Sequence, residues 1–421
     1  MNKYKWKVDS EVSVVMQNLG RRYGTRTEGD DWNVYWANVN IVRQIFHPDS
    51  GVRLTDTQLI CHFPNHYELT RKDLMVKNIK RYARDLRGEG IDEIPDFVPV
   101  TYMLPADYSL FVEEFRRIPN AMWIMKPANG LQGRGIFIIN KLQQIKRWSN
   151  GRWAQMPVKE AYIVSRYIEN PMLIGGKKFD LRLYVLVTSY RPLRVYTFSE
   201  GFARFCNVKY SDDVGDINNP FIHLTNVAIQ KNNEDYNTKH GGKWNIQQLR
   251  LYLEGTWGTA RTQKMFDEID EIIVHSLKAV VNSIINDRHC FECYGYDILI
   301  DAELKPWLVE VRRSNVKVNH ISRTVADTSS QVNASPALST TTHSDRVMKM
   351  ALVRDVLEIV VPKDILNYKG PFSLGPCEPV GGFSVLYDEA AETAKAQLQA
   401  QDQKGLKAQQ RKGSAQPRFM P

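Results

Sequence analysis

Asp297 and Glu310 are the residues in this 421-residue sequence whose type and spacing point most directly to chemistry. They sit in YGYDILID and PWLVEV, which read as two short β-strands joined by a polar turn. Side chains alternate faces along a strand, so Asp297 can sit opposite Glu310 on its neighbour. Two converging carboxylates with no cysteine or histidine beside them suit a hard cation such as Mg²⁺ carrying phosphates. A polar cross-strand pair on a solvated face is the bland alternative. A second set lies in IGGKKFDLRLYVLV, where Lys178, Asp180 and Arg182 are spaced by two and so share one strand face. Burying unpaired charge is costly, so this row reads as part of a site rather than packing. A third is WIMKPANGLQGRGIFIIN: strand, glycine-rich loop, strand. Lys126 closes the first strand, and Gly130, Gly133 and Gly135 let backbone N–H groups approach phosphate oxygens, with Arg134 beside them. No GK[ST] follows, so this is not a Walker loop; an ordinary glycine hairpin is the alternative.

The elements that must hold these groups follow from periodicity. Thr70 is a plausible N-cap for a helix from Arg71 to about Leu86, with Met75, Ile79, Tyr82 and Leu86 on one face and Lys77, Lys80, Arg81, Arg84 and Arg87 on the others. AYIVSRYIENP reads as a buried strand running into a loop, and FIHLTNVAIQK offers Thr225 and Asn226 at a turn. HGGKW reads as a flexible basic loop around Lys243. Two scaffold helices fill 245–288, and a helix near 346–360 closes the folded part. The tail from about Asp388, rich in Ala, Gln and Lys, reads as disordered or as a partner-dependent helix. The expected units are residues 1–95, carrying the basic helix, 96–190, carrying the phosphate loop, 191–365, carrying the paired carboxylates, and the tail 366–421.

The chain is long enough for two or three domains, and no run approaches a membrane span or a signal peptide. Five scattered cysteines fit a reducing, cytosolic setting, and Cys290 and Cys293 read as buried thiols. A net charge of +9 implies an acidic partner. Nucleic acid is disfavoured, because zinc-finger spacing, an RNA-binding aromatic signature and a dense basic arm are all missing from the sequence.

HFPNHYELTRKDL, TYMLPADY, WIMKPANGLQGRGIF, KKFDLRLYVLV, HLTNVAIQK, GYDILID and PWLVEV…NASP, in this order, resemble the tubulin–tyrosine-ligase-like proteins. Within them the chain is similar to the polyglutamylase branch, associated with α-tubulin and a multi-subunit complex. The resemblance runs from about Trp6 to Tyr387. It implies an α/β (α+β) ATP-grasp fold, with a smaller N-terminal domain and a central domain packed on a C-terminal lobe. It implies ATP-dependent addition of glutamate to γ-carboxylates of glutamates in tubulin tails through an acyl phosphate. Glycine or tyrosine is the alternative donor, and a non-catalytic scaffold the alternative class. The resemblance also implies location at the cytoskeleton, centrioles, basal bodies and axonemes.

Carried onto this numbering, Lys126 and Lys178 hold ATP phosphates, Gln132 and Gly133 form the loop over them, and Ser165, Arg166, Tyr167 and Ile168 line the adenine. Phe179, Asp180, Thr225 and Asn226 complete the nucleotide site, Arg182 steadies the transferred phosphoryl group, and Arg204 and Lys243 grip the incoming glutamate. Asp297, Glu310 and Asn333 hold Mg²⁺.

That last set departs from the family pattern, which reads WLVEVNASP. Here 21 residues, 311–331, separate WLVE from VNASPALS, so position i+2 after Glu310 is Arg312 and the matching asparagine is Asn333. The ends of the insertion fit splice signals: Val-Arg can be encoded by GTG-AGA or GTA-AGG, and Gln by CAG. The stretch therefore reads as a short intron retained in frame, a genuine loop insertion being the alternative. Closing such a loop costs on the order of 3 kcal/mol plus a constant, which is tolerable. An arginine aimed at a dication site is repulsive. The chain as written is expected to be weakly active or inactive, and a chain without 311–331 to be the enzyme.

Overall fold

The computed structural model describes residues 4–9, 11–22, 24–91, 96–128, 133, 135–149, 161–213, 215–234, 236, 242–313, 338, 340–361, 377–399 and 401. Gln132, Asn333, Gly130 and Arg134 lie outside these residues.

The chain begins with a small parallel sheet in the order β2-β1-β3-β4, made of β1 (Lys5–Val8), β2 (Thr25–Arg26), β3 (Val34–Trp36) and β4 (Leu59–Ile60). Helices α1 (Ser13–Arg21) and α2 (Val39–Ile45) sit between its strands, and α3 (Tyr67–Thr70) and α4 (Lys72–Gly88) follow. Thr70 does not cap α4. Its hydroxyl donates back to the His66 carbonyl at 3.4 Å, which ends α3, and extended Arg71 precedes Lys72. The apolar stripe of α4 is buried at Met75, Val76 and Ile79, whereas Lys77, Lys80, Arg84 and Arg87 are exposed.

A second, antiparallel sheet, β5-β8-β6-β7, contains β5 (Thr101–Leu104), β6 (Trp123–Pro127), β7 (Phe137–Ile139) and β8 (Tyr162–Arg166), with α5 (Tyr108–Arg117) and α6 (Leu142–Trp148). Strand alternation splits its residues cleanly. Trp123, Met125 and Val164 join Phe111 in this unit's own core, which turns Ile124, Lys126, Ile163 and Ser165 to the opposite face.

The largest sheet is built from β9 (Leu173–Ile174), β10 (Lys177–Tyr190), β11 (Leu193–Phe198), β12 (Phe202–Phe205), β13 (Lys243–Asn245), β14 (Glu292–Ile300), β15 (Pro306–Arg313) and β16 (Phe383–Asp388). Short helices α7 (Pro220–His223) and α8 (Val227–Gln230) follow β12; α9 (Ile246–Trp257), α10 (Thr259–Lys278) and α11 (His343–Val360) cover the sheet. The central strand β10 is buried along nearly all its length because both faces are covered. Leu181, Leu183, Val185 and Val187 pack in one core with Ile269, Ile273 and Leu277 of α10, while Tyr184 and Leu186 pack in another with Leu352, Val353 and Val356 of α11.

Three expectations are corrected. β10 was expected in the central unit ending at residue 190, but its pairing with β11, β12 and β14 makes it the spine of the large sheet. Lys243 lies not in a loop but in strand β13, because its backbone pairs with Arg204. The folded part does not end with α11: Phe383 packs on Phe198, ring centroids 4.9 Å apart, and β16 joins β11. Beyond it, residues 389–399 are helical, and 390–399 are exposed.

The N-terminal sheet is joined to the large one through a buried ion pair. His62 Nδ1 lies 2.7 Å from Glu292 Oε1, and Oε2 accepts from the Phe63 N–H. Burial works against the charged ring, but the Cys61 sulfur and the Glu292 carboxylate push the His62 pKa up to about 10. A raised folded-state pKa contributes stability that is full below the unfolded value of 6.5 and is lost as pH rises through about 10. Glu292→Gln is therefore expected to cost about 3 kcal/mol at pH 6, as for other broken buried pairs. Its deficit in thermal midpoint against the parent should shrink steadily toward pH 10. A deficit constant between pH 6 and 10 would contradict this account.

Candidate active site

The cleft lies between the Ile124–Lys126 face of the second sheet and the mouth of the large one, with the first turn of α4 above it, and encloses about 1010 Å³ of open space including its mouth. From the second sheet it receives Thr101, Ile124, Lys126, Ile163 and the run Ser165–Ile168; from the large sheet Lys178, Asp180, Asp297, Glu310 and Arg312; from the α7–α8 connection Thr225 and Asn226.

Gly133 also lines the cleft, at φ +79, a region costly for other residues. A Cβ there would lie 3.2 Å from Asn226 Oδ1 and far inside contact distance of Ile229. The absence of a side chain at Gly133 thus lets its backbone approach the 225–229 turn closely. The Lys178 ammonium lies 2.9 Å from the Tyr167 hydroxyl, which meets His223 Nδ1 at 2.9 Å. Burial, with Lys72 next, holds Lys126 down to about 8, and burial holds Lys178 down to about 8. An entering anion would restore full protonation to both.

The deepest part is ionic. The register pairs Arg182 with Asp297 across β10–β14 and Asp297 with Glu310 across β14–β15. A bulge between Asp297 and Ile298 pairs Ile298 with Leu308, so Val309 is an extra residue. The bulge lets Leu308 stay in the core while Glu310 faces Asp297. Arg182 grips Asp297 with two bonds, Nε–Oδ1 at 2.6 Å and Nη2–Oδ2 at 3.0 Å. Arg204 Nη2 approaches Asp297 Oδ2 at 3.0 Å and pairs with Asp180 as well. Arg312 Nε lies 3.2 Å from Asp297 Oδ2, and its Nη2 2.8 Å from Glu310 Oε2. Lys72 Nζ lies 2.9 Å from Glu310 Oε1. Burial alone would raise these acids, but Arg182, Arg204 and Arg312 hold Asp297 far below the usual carboxylate range, and Arg312 and Lys72 hold Glu310 at about 2. Burial outweighs Arg204 at Asp180, whose pKa is raised.

These residues do not fit a divalent cation as they stand. Each oxygen of both carboxylates faces a cationic nitrogen, and Arg312 spans the pair. A dication about 4 Å from one guanidinium meets repulsion on the order of 8 kcal/mol at an effective dielectric of 20. Among the described residues, no cluster of three or more His, Cys, Asp or Glu is placed to hold a metal.

Of the residues singled out by sequence, Lys126, Gly133, Ser165–Ile168, Lys178, Asp180, Thr225, Asn226, Asp297 and Glu310 converge on the cleft. Arg182 and Arg204 adjoin it through Asp297. Lys243 lies beyond them, 3.2 Å from Asp345 Oδ2 and 4.4 Å from the Phe202 ring centroid. The Phe179 side chain does not line the cleft: alternation turns it to the other face of β10, where it packs on Phe205 in the core.

Sequence reasoning missed Lys72, Asp345 and Lys349, all buried. Lys72 stands three, four and seven residues before Met75, Val76 and Ile79, so helical spacing alone puts it on the buried stripe of α4. Lys349 bonds Asp345 one turn earlier at 2.8 Å, on the face of α11 that carries Met348, Leu352 and Val356.

A family model described as the tubulin-tyrosine ligase family matches residues 52–315 and so stops just inside the inserted stretch. The chain is 49% identical to the "Probable alpha-tubulin polyglutamylase Ttll1" of Tetrahymena thermophila, over 96% of this chain and 97% of that protein. It is 38% identical to the "Probable tubulin polyglutamylase ttll-9" of Caenorhabditis elegans, over 91% and 84%. Against the human "Tubulin polyglutamylase TTLL5" it is 34% identical over 78% of this chain and 24% of that longer protein. A mixed α/β chain with such a cleft, matched over more than half its length, belongs to the tubulin-tyrosine ligase family.

Proposed function

We propose that the protein is of the tubulin polyglutamylase type: an ATP-dependent ligase joining glutamate to side-chain carboxylates of glutamates in the acidic C-terminal tail of tubulin. The observation that carries this reading is the likeness, across 96% of the chain, to a protein named an alpha-tubulin polyglutamylase. The charge of the cleft supports it. Lys72, Lys126, Lys178, Arg182, Arg204 and Arg312, with Lys243 and Lys349 beyond, outnumber Asp180, Asp297, Glu310 and Asp345 by eight to four. An excess of buried cations suits a polyphosphate and two carboxylate substrates.

The reaction needs that excess because a carboxylate does not condense with an amine in water. An acceptor carboxylate oxygen attacks the γ-phosphorus of ATP and ADP leaves. The donor amine then attacks the acyl carbon, the phosphate departs with its oxygen, and the ammonium gives up its proton. Catalysis is chiefly positioning and charge neutralisation. In this reading Lys126, Lys178 and the loop of Gln132 and Gly133 hold the phosphates, and the Ser165–Ile168 edge lines the adenine. Asp180, Thr225 and Asn226 complete the nucleotide site, Arg182 steadies the moving phosphoryl group, and Arg204 and Lys243 receive the donor glutamate. The three sheets stand for the N-terminal unit, central unit and C-terminal lobe of an ATP-grasp enzyme. Preference for α-tubulin, membership of a multi-subunit complex and residence at centrioles, basal bodies and axonemes extend the same reading.

The test is competition. With tubulin, ATP and a cell extract supplying partner subunits, labelled glutamate incorporated by the chain lacking 311–331 should be displaced by unlabelled glutamate and not by glycine or tyrosine. Displacement by either of those would reassign the donor.

A further inference from the structure

We propose that Arg312 takes the place of a divalent cation in this chain, so that the cleft binds ATP without metal and holds no metal of its own. The proposal rests on the ligase reading of the cleft. Its observation is the placement of one guanidinium across both carboxylates, Nε on Asp297 and Nη2 on Glu310, with a side chain only 12% exposed.

The strand geometry makes this placement specific. Glu310 and Arg312 are two apart on β15 and share a face, which brings Nη2 back onto Oε2. Opposite Arg312 stands Gly295, which has no side chain to block the guanidinium from crossing β14 toward Asp297. A Cβ at 295 would already stand 3.2 Å from Arg182 Cδ, so the same gap admits both arginines. Arg312 thus does what a bridging ion does here: it neutralises two carboxylates whose register forces them together. A guanidinium carries five N–H donors in a fixed fork, and the two ion pairs use only part of that set. It also brings a single charge where a dication brings two, which leaves the cleft's positive excess to the surrounding lysines and arginines.

The experiment compares the full chain with Arg312→Ala, following binding of a non-hydrolysable ATP analogue with Mg²⁺ or EDTA and of Mn²⁺ by electron paramagnetic resonance. The full chain should bind the analogue with the same affinity, within about threefold, in either buffer, and take up no Mn²⁺ beyond that on free nucleotide. Arg312→Ala should hold one equivalent of Mn²⁺ with the analogue and lose about tenfold in affinity, about 1.4 kcal/mol, in EDTA. Arg312→Gln, which keeps hydrogen-bonding capacity without charge, should behave like the alanine variant and covers the case in which that variant does not fold. The proposal is overturned if the full chain binds the analogue only with Mg²⁺, if it immobilises Mn²⁺ as the variants do, if it fails to bind the analogue in EDTA, or if neither variant takes up more Mn²⁺ than the parent. Glutamate incorporation by the chain without 311–331 is a separate readout, so the ligase reading and this one fall independently.

Discussion

Removing residues 311–331 is expected to raise ATP-dependent incorporation of glutamate into tubulin by about a hundredfold over the full chain, assayed with an extract supplying partners. The magnitude is that of restoring one well-placed electrostatic element to a transfer reaction, worth about 10²–10³ in rate. In the full chain the side chain two places after Glu310 is a guanidinium committed to Asp297 and Glu310. In the shortened chain that place passes to Asn333, a neutral side chain with a carbonyl oxygen, and the text becomes WLVEVNASPALS. Glu310 Oε2 then loses its cationic partner and is open to a hard cation, while Asp297 keeps Arg182 and Arg204 and Glu310 Oε1 keeps Lys72. Arg182, Arg204 and Lys72 belong to other strands and a helix, so the shortening leaves them in the sequence unchanged. Equal incorporation by both chains would show that the site tolerates Arg312, and would remove the argument from charge.

Asp297→Ala is expected to destabilise the full chain by about 3–5 kcal/mol, the range for stripping one partner from a buried ionic cluster. The reason is the number of cations left behind: Arg182, Arg204 and Arg312 all converge on this one carboxylate. Arg204 retains Asp180 and Arg312 retains Glu310, whereas Arg182 loses both of its bonds to the carboxylate. Asp297→Asn should cost less, since it keeps an acceptor oxygen, but should remain clearly below the parent in urea denaturation. The pH dependence has a definite sign. A depressed folded-state pKa contributes stability that is present above the unfolded carboxylate value of 3.8 and is lost as pH falls through the folded value. The folded value is far below the usual range, so the gap between parent and Asp297→Ala should be the same at pH 7 and pH 5. A gap under about 1 kcal/mol, or one that closes over this interval, would mean that Asp297 is not the hub of the cluster.

Much of the site was legible because strand alternation is local. Lys178, Asp180 and Arg182 had to share a face whatever surrounded them, and the same rule puts the Phe179 side chain on the opposite face. The helical stripe of α4 was equally local, yet Lys72 escaped notice because the charged residues of that helix were read as its solvated side; position on the stripe, rather than charge, was the signal.

The sequence by itself determined the family, the strand and helix elements that carry the site, and the placing of Arg312 two residues after Glu310 on one strand face, since these depend on residue order and on short periodicities. Only the tertiary structure decided which cation meets which carboxylate. The bulge at Val309 that turns Glu310 toward Asp297, the bare Gly295 that lets Arg182 and Arg312 lie across β14, and the joining of β16 to a sheet begun two hundred residues earlier all depend on register between distant strands. Register is set by the collective fit of side chains across a sheet, and no local pattern in one strand contains it.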